Sequence, residues 1–346
     1  MRNSTLGGGM RYIGYIILGA LLLGLSAFGA LWLSAHLSLD QSYSHSKVSA
    51  KLPFFGQISR NGLVRLKTDR GEFRARVAGF EAGEDRELVI LLHGFPVTSA
   101  MWIDLIPALA DAGYQVIAFD QRGYSPQVRP QDINDYRISE LVADLLSVAD
   151  LTGTERFHLV GHDWGAAVGW AAVIENPSRI ISWAPMSIAH PAAFGAALQN
   201  DPEQQSKSRY FALFVTPMIP EIFFSFNEFQ MLKALFGNMR SEKIEEYIQF
   251  FSEPGAISAG LNWYRAAFLH SELNQAVRPT RDNDVTVPTL FIWGNQDEAV
   301  GRRGTELMAD YMKGPYSTVE LDAGHWLLSD FPVEVEQLIL SHLQSY

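Results

Sequence analysis

The sequence predicts an α/β protein: a mostly parallel sheet with helices on both faces, an inserted helical cap, and an apolar N-terminal helix. Three observations lead there. Strand-like apolar runs alternate with helix-like segments from Leu88 to Ser187 and again from Thr289 to Leu343, the pattern that builds a parallel sheet. Between them, from about Pro191 to Arg281, the alternation stops and an aromatic, helix-like stretch replaces it. Ahead of both, no charged residue occurs between Tyr12 and Ala35.

That first run includes Ile16, Ile17, Leu21, Leu22, Leu23, Phe28, Leu31 and Trp32. At about 1.5 Å per residue it is long enough to cross a hydrocarbon core of roughly 30 Å. It therefore predicts a single membrane span, with a lipid bilayer as partner of residues 12–35. The competing reading is a signal peptide, with Arg2 and Arg11 as its positive region and Ser26-Ala27-Phe28-Gly29-Ala30 as its cleavage region, giving a secreted product. The apolar run continues to Leu33, which favours retention. If the positive end stays inside, the rest of the chain lies on the non-cytoplasmic side, although Lys47 and Lys51 beyond the span weaken the charge bias. Residues 1–47 thus read as anchor and stalk, the stretch 36–52 being polar and without periodicity.

Residues 48–190 read as the first part of the core. Leu63 to Thr68 and Phe73 to Gly79 alternate like strands across the turn Asp69-Arg70-Gly71, and Leu88 to Leu92 is apolar throughout, as expected of a strand buried on both faces. Helices are expected at Ala100–Ala112, Ile138–Leu151 and Trp164–Glu175, and strands at Gln115–Phe119, Phe157–Val160 and Ile180–Ser187. Residues 191–280 read as the cap, rich in aromatics such as Tyr210, Phe214, Phe223 and Phe229. Residues 281–346 resume the core with strands at Thr289–Trp293 and Thr318–Leu321 and helices at Gly304–Lys313 and Val333–Leu343.

A chain of 346 residues, 47% hydrophobic and 19% charged, supports one large domain with an insertion. A formal net charge of −11 and the lack of a basic aromatic patch argue against nucleic acid, and point to a small-molecule substrate. With no Cys, disulfides, thiol chemistry and Cys-ligated metals are excluded.

The most informative motif is Gly161-His162-Asp163-Trp164-Gly165, between a strand and an Ala-rich helix. A small-x-nucleophile-x-small turn in that position is a nucleophile elbow, and here the central residue is an aspartate. A carboxylate nucleophile attacks a carbon bearing a leaving group and forms an alkyl ester, where serine would form an acyl-enzyme. The bland alternative is a helix N-cap. Such a nucleophile needs an oxyanion hole, a base to activate water and an acid to orient the base. The N–H of Phe95, in His93-Gly94-Phe95-Pro96 after a strand, and that of Trp164 are the candidate oxyanion donors. His325, in Gly324-His325-Trp326 after the last strand, is the candidate base. Asp297, ending Trp293-Gly294-Asn295-Gln296-Asp297, is the candidate acid, with Glu298 as its alternative and Asp322 as a cap for the loop.

The ordered set His93-Gly94-Phe95-Pro96, Asp120-Gln121-Arg122-Gly123-Tyr124-Ser125, Gly161-His162-Asp163-Trp164-Gly165 and Gly324-His325 resembles the α/β-hydrolase fold epoxide hydrolases over residues 60 to 346. Asp163 followed by Trp164 narrows the resemblance to epoxide hydrolases and haloalkane dehalogenases. Asn262-Trp263-Tyr264-Arg265 is similar to the epoxide hydrolase segment carrying one ring-opening tyrosine. Tyr210, with Phe214, Pro217 and Glu221, is similar to the segment carrying the other. An alkoxide leaves poorly unless it receives a proton, which two phenols supply. A halide needs only N–H donors, which the indole of Trp164 and often an Asn provide, and this chain has Phe95 there. The resemblance thus implies an epoxide substrate, conversion to a vicinal diol, and no metal or organic cofactor. The alternatives are a dehalogenase on the same scaffold and an inactive membrane-tethered binding protein.

Overall fold

The computed structural model describes residues 6–56, 61–81, 86–269 and 283–346, with residues 6–19 and 21 given by their backbone. Helix α1 (Leu6–Leu37) leads through the short α2 (Ser44–Ser49) to strands β1 (Gly62–Thr68), β2 (Gly71–Ala78) and β3 (Leu88–Leu92). The core continues with α3 (Leu105–Asp111), β4 (Gln115–Phe119), α4 (Ile138–Leu151), β5 (Phe157–His162), α5 (Trp164–Glu175) and β6 (Ile180–Met186). The cap follows as α6 (Pro191–Asn200), α7 (Pro202–Lys207), α8 (Tyr210–Phe214), α9 (Ile219–Ala234), α10 (Ser241–Phe251) and α11 (Ala256–Leu269). After residues 270–282, which lie outside the described part, come β7 (Thr289–Gly294), α12 (Arg302–Leu307), β8 (Tyr316–Leu321), α13 (Leu327–Asp330) and α14 (Pro332–Leu343).

The eight strands form one sheet in the order β1-β2-β4-β3-β5-β6-β7-β8. β1 pairs antiparallel with β2, β2 antiparallel with β4, and the rest are parallel. β3 and β5 are buried along their whole length, as the unbroken apolar sequence of β3 demands in a sheet covered on both faces. The strand order reverses around β3, which has β4 on one side and β5 on the other. In open α/β sheets this is where the crevice at the carboxyl ends of the strands opens for a ligand.

Two helices are shorter than the sequence suggests. In place of one helix over Ala100–Ala112 there is a 3₁₀ turn at Ser99–Trp102, capped by the Thr98 hydroxyl, and then α3. Pro107 lacks an N–H and fits only the first turn of a helix, so α3 begins at Leu105. In place of Gly304–Lys313, α12 ends at Leu307 and passes into a 3₁₀ turn at Met308–Asp310. The Lys313 N–H is drawn away to the carbonyl of Val285 at 2.8 Å.

α1 is one continuous helix, but among the described residues no single helix is long and apolar enough to cross a membrane, the apolar stretch being Leu22–Leu37. The segment that follows α1 differs from the expectation. The stretch 36–52, read as a free stalk, is docked on the cap. The Asp40 N–H donates to the Ser252 carbonyl at 2.8 Å, and the Ser46 N–H and hydroxyl donate to the buried Glu253 carboxylate at 2.6 and 2.7 Å. Glu253 is held in turn by Arg129 at 3.2 Å, and His45 lies edge-on to Phe250. Burial lowers the His45 imidazole to about 4, so it packs there uncharged.

Candidate active site

Neighbouring strands deliver the site. Leu92, the last residue of β3, pairs with Gly161 near the end of β5, so the loop after β3 and the elbow after β5 emerge side by side. Asp163 sits on the elbow at φ 55°, ψ −123°, a strained backbone for a residue with a side chain. The turn closes only because its small residues permit it: a Cβ on Gly165 would stand 2.1 Å from the Leu92 carbonyl oxygen. Buried to 6% exposure, the Asp163 carboxylate accepts the Phe95 N–H on Oδ1 at 2.8 Å. Trp164 opens α5 directly behind it, and an N–H at that helical position has no partner within its own helix.

β7 and β8 bring the other two members. Gly294 pairs with Leu321, and the loops beyond place Asp297 against His325, whose Nδ1 is 2.8 Å from Asp297 Oδ2. His325 Nε2 stands 3.6 Å from Asp163 Oδ2. Burial alone would lower the His325 imidazole, but Asp297 and then Asp163 outweigh it and raise it to about 10. Burial would raise the Asp297 carboxyl, yet His325 and the N–H groups of Ala299 and Val300, at 2.7 and 3.0 Å, hold it below the usual range. His325 thus lies between the Asp297 and Asp163 side chains, and both favour its protonated form. Glu298 is exposed on the cavity wall, and Asp322 accepts from Gln296 Nε2 at 2.6 Å, bracing the loop.

The cap supplies two phenols. Tyr264 is held by its neighbours in sequence: Trp263 Nε1 donates to the Arg122 carbonyl at 3.0 Å, and Arg265 pairs with Glu221 at 2.8 Å. Gly260, one turn earlier, lets α11 approach the core, since a Cβ there would meet the Phe95 ring and the Tyr124 hydroxyl at 3.1 Å. Tyr210, at the start of α8, has its ring centroid 6.2 Å from that of Tyr264. Both phenols are pushed well above their ordinary pKa, by burial first and by the Asp163 charge in addition, so both stay protonated. Asp163, Tyr210 and Tyr264 together line two cavities. The larger, about 370 Å³, also takes in His325, Phe224 and Leu235. The smaller, about 80 Å³, continues past Trp164 to Phe194 and Val300.

The structure thus brings together all seven residues singled out from the sequence. Three supporting residues were not evident there. His162 lies at a ring distance of 4.7 Å from His325, and its Nε2 bonds the His325 carbonyl at 2.8 Å. Burial, then His325, lowers its imidazole to about 4, so it serves as a neutral donor that fixes the histidine loop. His93 braces the Phe95 loop: its Nε2 accepts the Gln121 N–H at 3.1 Å, and Gln121 Nε2 donates to the His93 carbonyl at 2.6 Å. Lys207 of the cap donates to the carbonyl of Asp297.

A strand-end elbow bearing a carboxylate, followed in chain order by an acid and a histidine from the last two strands, defines an α/β hydrolase. Residues 87–332 match the family described as alpha/beta hydrolase fold. The chain is 32% identical over 293 residues to Epoxide hydrolase 4 of Homo sapiens, covering 81% of this chain and 78% of the human protein. It is 34% identical over 321 residues to Epoxide hydrolase A of Mycobacterium tuberculosis, covering 80% and 95%. Among solved structures, Epoxide Hydrolase A from Mycobacterium thermoresistibile shares 30% identity and a TM-score of 0.63, over 82% of this chain and 98% of that one. The chain belongs to the epoxide hydrolase family of α/β hydrolases.

Proposed function

We propose that the chain hydrolyses a lipophilic epoxide to its vicinal diol through an alkyl ester on Asp163. The observation that carries this reading is the pair of protonated phenols, Tyr210 and Tyr264, lining the same cavity as the elbow carboxylate. The phenols donate to the epoxide oxygen as a carboxylate oxygen of Asp163 attacks one ring carbon. The carbon–oxygen bond breaks, and the alkoxide takes a proton from one of the phenols, leaving a phenolate. Esterification removes the Asp163 charge, and with it part of what raises the His325 imidazole. The His325 imidazolium returns a proton to that phenolate, and the neutral imidazole, held by Asp297, then accepts a proton from a water that attacks the ester carbonyl carbon. The N–H groups of Phe95 and Trp164 stabilise the resulting oxyanion; its collapse breaks the acyl carbon–oxygen bond, and the departing alkoxide takes the proton of the newly added hydroxyl, which releases the diol and restores the Asp163 carboxylate and the His325 imidazolium. No metal or organic cofactor takes part.

Single turnover in heavy-oxygen water tests the scheme. Label is expected in the Asp163 carboxylate before it enters the diol, because water attacks the ester carbonyl. Label passing straight to the diol rules the ester out.

We further propose that residues 12–35 anchor the chain in a bilayer, with the enzyme on the non-cytoplasmic side. The charge-free run from Tyr12 to Ala35 and the unbroken α1 support this.

A further inference from the structure

The cap exposes apolar side chains along α9, on both sides of its turn at Phe226 to Phe229. Met218, Ile219, Phe223, Phe226, Met231 and Leu235, on or at the ends of α9, are each 36–57% exposed. α1 packs against this helix, and the Glu228 N–H donates to the Ser38 hydroxyl at 3.2 Å. α1 is itself apolar on every side, with Leu23, Leu25, Phe28 and Trp32 at 45–74% exposure. Helices that are apolar all round lie in a protein core or in lipid, and contiguous patches of this kind mark interaction surfaces.

Asp40 bonded to Ser252, and Ser46 bonded to Glu253, fasten the segment between α1 and α2 to the cap. Whatever medium surrounds α1 therefore also meets the face of α9. A protein partner would have to enclose α1 completely, whereas hydrocarbon does so by its nature. Charges on α9 are few: Glu221 is paired with Arg265, Glu228 lies beside Ser38 just past α1, and Lys233 stands in the last turn. Two residues of the apolar face, Phe223 and Leu235, also line the larger cavity that reaches Asp163.

We propose that the α9 face of the cap is seated in the acyl region of a phospholipid bilayer, so that the larger cavity opens into the membrane and draws lipophilic epoxides from it directly. This rests on the anchoring of residues 12–35 proposed above, and adds that the cap itself is immersed.

The test uses the full chain in phosphatidylcholine vesicles. Because the chain has no Cys, Met218→Cys, Met231→Cys and, at the opposite end of the sheet, Glu155→Cys each give one labelling site for a polarity-sensitive fluorophore. Expected are a blue shift and quenching by spin-labelled lipid at 218 and 231, and neither at 155. Flotation with the vesicles while 218 and 231 stay as wet as 155 keeps the anchor and overturns the immersed cap. Failure to float removes the anchor and the immersed cap together. A blue shift that depends on protein concentration, without lipid quenching, assigns the face to a second copy and overturns the proposal.

A kinetic arm runs alongside. The double variant Met218→Glu/Met231→Glu is expected to raise KM about five-fold or more for an epoxide dissolved in the vesicles, with kcat unchanged. Turnover of a water-soluble epoxide should stay as in the parent chain, which reports intact folding and an intact catalytic centre. An unchanged KM for the vesicle-borne epoxide overturns delivery through the membrane.

Discussion

Asp163, His325 and Asp297 carry charges that depend on one another. His325 is held up to about 10 by two carboxylates, and in the proposed scheme it becomes a base only after the first of them is esterified. The phenols act in the step before. Replacing both Tyr210 and Tyr264 by Phe is expected to slow ester formation about 10²- to 10⁴-fold, while hydrolysis of an ester already formed keeps its rate. Stopped-flow fluorescence of Trp164, whose ring lies 5.0 Å from that of Tyr264, separates the two steps; an unchanged first step would remove the phenols from the scheme. The catalytic candidates were legible because each stands in a short motif just past a strand. His162 was not, because it works through the backbone carbonyl of a residue 163 positions away, and no local pattern encodes such a bond.

Elements set how firmly these groups are held. α11 carries Tyr264 to the cavity and comes close to the core at Gly260, where an added Cβ would meet Phe95 and the Tyr124 hydroxyl at 3.1 Å. Ala in a helix interior gains about 0.5–1 kcal/mol over Gly, which offsets part of that crowding. Gly260→Ala is therefore expected to change the melting temperature little but to slow ester formation by about ten-fold, because small displacements at a reacting centre are costly. Parallel calorimetry and kinetics check it, and normal kinetics would show that α11 has slack at this point. Strands were legible to within a residue or two from unbroken apolar runs, as at Leu88–Leu92. The docking of α2 was not, since the polar, aperiodic stretch 36–52 reads as a stalk until Glu253, distant in sequence, is placed beside Ser46. α9 was equally opaque, for it turns at Phe226 to Phe229, four residues with non-helical backbone angles that its apolar composition hides.

Across the whole molecule, buried histidines set the pH range of stability. His45, His162, His190 and His342 are lowered, by burial above all, from 6.5 to about 4. Between those values the unfolded chain binds more protons, so stability falls as pH drops from 6.5 toward 4. His325 has the opposite sign: raised to about 10, its contribution is complete below 6.5 and is lost as pH rises through 10. Calorimetry is expected to give a lower melting temperature at about pH 4.5 than at about pH 7, and a flat profile would mean that these imidazoles are charged in the fold. In the proposed scheme the fold holds one carboxylate ready for a carbon centre, and that proposal has a direct test. The His325→Gln protein, incubated with a panel of epoxides, is measured by intact-mass spectrometry. A mass increase equal to a whole epoxide, mapped to Asp163, is the expected result. Folded protein that forms diol at the parent rate with no adduct at any time would contradict it.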